Sequence, residues 1–204
     1  MAKGQGREKK NGGSVSRNRD AIFKAAMELF LEKGYDAATT NDICEAAGIT
    51  KPTLYYYAKS KRHLFYLLHM EAIERDLAPH LEKMSAVEDP LARLTKMIEG
   101  FAEIVCTHPE LRVLLHETLA IRDNYFKEVR QMWKKHYYLL RNTIKELQEK
   151  GVIANKAKPS RLALLVLGML TWVTFWFDYN RKEEIQEIAA TAVEMVMSGL
   201  SVKQ

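Results

Sequence analysis

Residues 46–64 read AAGITKPTLYYYAKSKRHL, with Tyr55, Tyr56 and Tyr57 consecutive between Lys51 and the cluster Lys59, Lys61 and Arg62. A core segment does not carry this much charge, because burial penalises charges that lack partners. A solvated loop does not carry so many rings. A division by face reconciles the two. Gly48 supplies the left-handed backbone of a tight turn, and Ile49 after it plugs the angle between two helices. On a helix beginning near Lys51, Leu54 and Tyr57 lie three residues apart and point inward. Lys51, Thr53, Tyr55 and Tyr56 are left on the outer face.

The flanking sequence extends this reading in both directions. Ile22, Phe23, Ala26, Leu29 and Phe30 form one apolar stripe of a first helix that starts after Ser16 and stops at Gly34. Thr39 or Thr40 caps a short second helix that carries Ile43 and Ala46 inward and ends at Gly48. Thr50 caps the third, with Pro52 tolerated in its first turn, and Ser60 caps a fourth running toward Leu81. Asp89-Pro90 then opens a helix through Leu91, Leu94, Ile98, Phe101 and Val105. His108-Pro109 breaks it and starts another through Leu111, Leu115 and Leu119. Residues 125–150 make a long amphipathic helix stopped by Gly151. Ser160 caps an apolar run from Leu162, and a last helix from about Lys182 ends before Gly199. Neither β-alternation nor an internal repeat interrupts the pattern, so the fold class is all-α with about nine helices.

Charge is distributed unevenly. Residues 1–66 hold 12 Lys and Arg against 7 Asp and Glu, whereas residues 67–204 hold 19 of each. The whole excess of +5 therefore lies in the first third, which calls for an anionic partner there, nucleic acid or a membrane surface. Residues 1–16, basic and glycine-rich, read as a flexible arm or a solvated tail. Two cysteines, Cys44 and Cys106, are too few for a disulfide framework or a zinc site, and the six histidines show no metal-ligand pair at helical spacing. No signal-peptide pattern opens the chain, and the longest uncharged run, residues 162–177, has 16 residues against the roughly 20 that span a bilayer. The expectation is a cytoplasmic protein without membrane, metal or cofactor.

Two short helices joined by Ala47-Gly48-Ile49 make a helix-turn-helix, although a plain helical hairpin shares the spacing. In the DNA-binding motif the second helix enters the major groove and its first residues meet base edges. Tyrosine suits the rim of that groove, since its ring packs at small entropic cost while its hydroxyl bonds a phosphate oxygen. Ser60-Lys61 opens the next helix with free amides and a lysine, an arrangement that attracts anions.

Residues 17–64 closely resemble the DNA-binding domain of the tetracycline-repressor family of bacterial regulators. The resemblance rests on Phe30, Lys33-Gly34-Tyr35, Thr39-Thr40, Ala47-Gly48, Thr53-Leu54-Tyr55, Tyr57 and Ser60-Lys61. Ala58 stands where the family usually has phenylalanine, and Arg62 where it usually has an acid. The resemblance implies residues 17–66 as a three-helix DNA-binding domain and residues 67–204 as a helical ligand-binding and dimerisation domain. Carried over by position, it implies Thr40, Thr50, Lys51, Thr53, Tyr55, Tyr56 and Lys61 as DNA contacts. The partner would be a double-stranded, near-palindromic operator, bound by a homodimer that releases it on meeting a hydrophobic effector.

Residues 162–200 are similar, more narrowly, to family members that sense acyl-CoA thioesters, through Trp172, Trp176, Glu183-Glu184-Ile185 and Ser198-Gly199-Leu200. An acyl-CoA is therefore the favoured effector, and a multidrug or aromatic-compound sensor controlling efflux is the alternative. Phe101, Val105, Leu115, Leu119, Tyr137 and Trp172 are the candidate walls of its pocket, although tryptophans at helical spacing also serve as plain core. Arg122, Arg130, Lys134, Lys135 and Arg141 are equally well explained as a phosphate-receiving mouth or a solvated helix face. The dimer seam is expected within residues 160–200. An enzyme would need convergent polar groups in residues 67–204, and the sequence offers no catalytic triad, phosphate loop or paired carboxylates.

Overall fold

The computed structural model describes the backbone of residues 8–120 and 126–202, and the side chains of residues 17–117 and 126–202. Among these residues ten α-helices occur: α1 Glu8–Lys33, α2 Thr40–Ala47, α3 Lys51–Tyr57, α4 Lys61–Ala72, α5 Ala78–Ser85, α6 Pro90–Thr107, α7 Glu110–Ala120, α8 Phe126–Glu149, α9 Pro159–Trp176 and α10 Ile185–Leu200. A π-turn, Ile73–Leu77, joins α4 to α5 without a break, so nine helical segments are separate. The only β-pairing among the described residues is one isolated bridge, Ile153 with Val202. The all-α expectation holds.

The stops and starts have local causes. Thr39 caps α2 through a reciprocal pair: its hydroxyl accepts from the Asp42 amide at 3.2 Å, and the Asp42 carboxylate accepts from the Thr39 amide at 3.0 Å. Gly34, Gly48 and Gly151 end their helices at positive φ, where a side chain would be strained. Asp89 caps α6 by accepting from the Ala92 amide at 2.7 Å. Other expectations are corrected. α1 begins at Glu8, so residues 8–16 of the expected arm are helical; once a downstream turn exists, each added residue gains a hydrogen bond at little cost. Residues 1–7 lie outside the described residues. Pro159 occupies the first turn of α9 after Lys158, which displaces Ser160 as the cap. α10 passes through Gly199 and ends where Ser201 takes the left-handed conformation.

The chain divides into two compact units, Met1–Met70 and Glu71–Gln204. The first has a core of Ile22, Ala26, Phe30, Ile43, Leu54, Leu64 and Phe65, all essentially inaccessible to solvent. Phe30, Tyr35 and Phe65 pack as a triad with ring centroids 4.8–5.8 Å apart, in the tilted and edge-on geometries that aromatic rings favour. α2 presents Ile43 and Cys44 inward; Ala46, expected there, is exposed, because a short helix leaves one narrow buried face.

In the second unit α6 is the central helix, packed against α5, α8, α9 and α10. Its buried stripe of Leu94, Met97, Ile98, Phe101, Ala102 and Val105 is wide enough to face several neighbours. Arg93 ties α6 to α8, donating to Thr143 Oγ1 at 2.9 Å and to Glu146. At the π-turn, Arg75 bridges Asp76 and Glu110 at 2.6 Å each. Hydrogen bonds from His108 and Arg75 hold the Glu110 carboxyl at about 2 despite burial, so Glu110 stays ionised at neutral pH.

Candidate nucleic-acid interface

Gly48 makes the turn possible, and α3 leaves it with two turns of helix. Leu54, 2% exposed, anchors α3 to the core and fixes its rotation. Tyr57 is half-buried, and Tyr56 packs edge-on against it with centroids 5.1 Å apart. Lys51 is exposed, Tyr55 is 49% exposed and Tyr56 is 76% exposed, so one outer face carries all three. Thr50 and Thr53 pair their hydroxyls at 3.0 Å at the start of this helix. Thr50 therefore does not cap the helix with its side chain. Thr40, half-buried, is the first residue of α2. The face is polar, aromatic and cationic together.

Lys61 has a different employment from the phosphate contact that the resemblance implies. Its ammonium donates to the carbonyls of Tyr35 at 2.8 Å, Asp36 at 3.2 Å and Ala38 at 2.9 Å, and lies 4.5 Å from the Tyr35 ring centroid. An ammonium has three protons, and all three are spent. Lys61 thus closes the turn between α1 and α2 and docks the start of α4 on it. Sequence could not show this, because the three carbonyls are backbone and their convergence is tertiary.

The six candidate pocket residues in the second unit do not all converge. Phe101 and Val105 are fully buried on α6, whereas Leu115 and Tyr137 are half-buried on α7 and α8. The Leu119 side chain lies outside the described residues. Trp172 is 63% exposed and stacks on Phe175 with centroids 4.7 Å apart. It belongs to the outer face of α9, not to an interior wall. An all-apolar helix gives no periodic signal of which side is inside, and here Leu162, Ala163, Val166, Leu170, Val173 and Thr174 took that side.

That outer face is unusual in its apolarity. α9 is long and apolar enough by composition to cross a membrane, yet one side of it packs on α6 and α8. The other exposes Leu164, Leu165, Trp172, Phe175 and Trp176, continued by Met195 of α10. A groove of about 740 Å³ between the two helices is lined by Trp172, Trp176, Met195, Ile188, Glu184 and Glu187. Isolated exposed apolar residues are ordinary, but a contiguous patch of this kind marks an interaction surface. Among the described residues no group of three or more metal-ligating side chains is present.

The comparisons with known proteins agree with this geometry. Residues 22–66 match the model of bacterial regulatory proteins of the tetR family, and residues 87–200 match the tetracyclin repressor-like C-terminal domain. The chain belongs to the tetracycline-repressor (TetR) family of bacterial transcriptional regulators, a family of DNA-binding proteins and not of enzymes. It is 22% identical over 200 residues to the HTH-type transcriptional repressor KstR2 of Mycolicibacterium smegmatis, covering 91% of this chain and 92% of that one. It is 21% identical over 185 residues to the transcriptional activator FasR of the same organism, covering 90% and 83%. Among solved structures, AibR in complex with isovaleryl coenzyme A and operator DNA superposes with a TM-score of 0.79 at 22% identity, covering 87% of this chain and 97% of that one.

Proposed function

We propose that the protein represses transcription by binding a near-palindromic operator as a homodimer, and that a hydrophobic effector, favoured to be an acyl-CoA, releases it. The observation that carries this reading is the outer face of α3, where Lys51, Thr53, Tyr55 and Tyr56 project from a helix held by Leu54. Lys51 and the hydroxyls of Thr40, Thr50 and Tyr55 serve the phosphates, while Thr53 and Tyr56 stand nearest the bases. One two-turn helix buries too little surface for a selective site. Two copies related by a two-fold axis double it and match a palindrome.

The apolar outer face of α9 and α10, within residues 160–200, supports a second copy as its cover. A helix hydrophobic all round must be enclosed all round. Repression is favoured over activation by the likeness to KstR2, and the acyl-CoA reading is supported by the likeness to AibR and by Trp172, Trp176 and Glu183-Glu184-Ile185. Release requires the effector to favour one of two conformations; emptying an operator from 99% to 1% occupancy takes a difference of roughly 5.5 kcal/mol.

A gel shift on DNA upstream of the gene tests operator binding. Adding acyl-CoAs, free fatty acids and aromatic cations in turn tests the effector. Release by thioesters alone supports the reading, and release by cationic drugs with no response to any thioester replaces it with the multidrug one.

A further inference from the structure

The outer face of α9 is ordered along its length. Arg161, Leu165, Gly168, Trp172 and Trp176 are all exposed and follow one another every three or four residues, a single stripe at helical spacing. The stripe has unlike ends. Toward the N-terminus it is aliphatic, with Leu164 and Leu165, and finishes in the cation of Arg161; toward the C-terminus it is aromatic, with Trp172, Phe175 and Trp176. Gly168 lies at its midpoint, and a Cβ added there would meet nothing within 4 Å. No side chain stands out from the helix at that point, so a second helix can approach the backbone most closely there.

Charge repeats the asymmetry. Arg161 in the first turn of α9 and Glu187 in the first turn of α10 each lack an ion pair among the described residues. Glu187 and Trp176 line the same end of the groove between α9 and α10, while Gly168 and Met195 line the other. The second acid of the groove, Glu184, is already held by Arg181. One end of the apolar face thus carries a free cation, and the other a free carboxylate.

We propose that two copies of the chain pair antiparallel along α9, with the two-fold axis beside Gly168 and Arg161 of each protomer seated on Glu187 of the partner subunit. This rests on the homodimer reading above and gives that seam its orientation and register. With the axis there, Leu165 faces the partner's Trp172, and Arg161 reaches the partner's Trp176, beside which Glu187 lies. The leucines of each chain then enter the groove of the other, aliphatic side chains against aromatic ones. A parallel pairing would set Arg161 against its own counterpart, Glu187 against its own, and one aromatic half against the other. A rim ion pair adds little affinity by itself, yet it selects the alignment, because the wrong one opposes like charges.

The test is charge reversal in the full-length protein, read by sedimentation equilibrium and native mass spectrometry. Arg161→Glu and Glu187→Arg should each weaken the dimer about tenfold or more, since two-fold symmetry opposes like charges twice. An equimolar mixture of the two variants should recover a tight heterodimer, because each supplies the charge the other lacks. The double variant should pair with itself as wild type does. Cysteine cross-linking reads the register without reversing a charge. Gly168→Cys should link to its counterpart on mild oxidation, whereas Arg161→Cys, roughly 22 Å from its counterpart at 1.5 Å per residue, should not. A dimer indifferent to both reversals, a mixture no tighter than its components, or self-linking by Arg161→Cys would overturn the register and leave the seam standing. A wild type that stays monomeric at every concentration would overturn both.

Discussion

At the scale of single residues, Lys61 separates an inherited role from a local one. A lysine that only neutralised a phosphate would, when replaced, lower the salt slope of DNA binding by about one and leave stability alone. The three carbonyls around its ammonium give the opposite expectation. Lys61→Met should cost about 1.5–3 kcal/mol of unfolding free energy, the range for hydrogen bonds to a charged group, with the salt slope unchanged. Urea titration and binding at several salt concentrations measure the two separately. Gly100 is a second such residue. Gly100→Ala forces the His80 ring against a methyl group and should destabilise by about 1–3 kcal/mol, read as a lower denaturation midpoint. Sequence marked Leu54 inward and Tyr55 and Tyr56 outward correctly, because residues three apart on a short helix share a face. It was silent on His80 and His136, since a histidine at a core position looks like any other until its neighbours are known.

Among the elements, caps and glycine stops were the most legible. Thr39, Asp89, Gly34, Gly48 and Gly151 act within a few residues of themselves, so local chemistry suffices to place them. Which side of α9 is buried was not legible. Sixteen uncharged residues fit any rotation, and the choice was made by α6 and α8 packing on Val166, Leu170 and Val173. The same uncertainty put Trp172 in the interior, when it is 63% exposed. The exposed positions are the ones to perturb. Leu165→Glu and Met195→Glu would each leave a carboxylate unpaired at a seam formed by a second copy, and should shift the protein from dimer to monomer in sedimentation. A sedimentation coefficient unchanged in both variants places the interface on another surface. Since both side chains are exposed in the single chain, unfolding is not expected to intervene.

For the whole molecule, the charge asymmetry and the all-helical pattern gave the class of fold, while its acid response depends on groups that sequence could not rank. His69 of the first unit and His136 of the second are both held neutral by burial, with pKa values pushed down to about 3. A depressed histidine is neutral in the folded chain and titrates near 6.5 in the unfolded one, so its contribution is intact above pH 6.5. It is lost as pH falls from 6.5 toward 3. At pH 5 each should have cost about 2 kcal/mol, from 1.36 kcal/mol per pH unit. Glu110, lowered to about 2, adds its loss only below pH 4.5. Thermal unfolding should therefore show a falling midpoint between pH 6.5 and 5, before carboxylates titrate, and His136→Phe should flatten that limb.

The central claim is that the outer face of α3 reads a DNA sequence. Its most direct measurement is binding by wild type and Tyr56→Ala, side by side, on the operator recovered from upstream DNA and on a scrambled duplex at the same salt. Wild type should prefer the operator by about a thousandfold or more. Tyr56→Ala should lose about 1–3 kcal/mol on the operator and almost nothing on the scrambled duplex. Equal losses on both duplexes, or a wild type with no preference between them, would contradict the account.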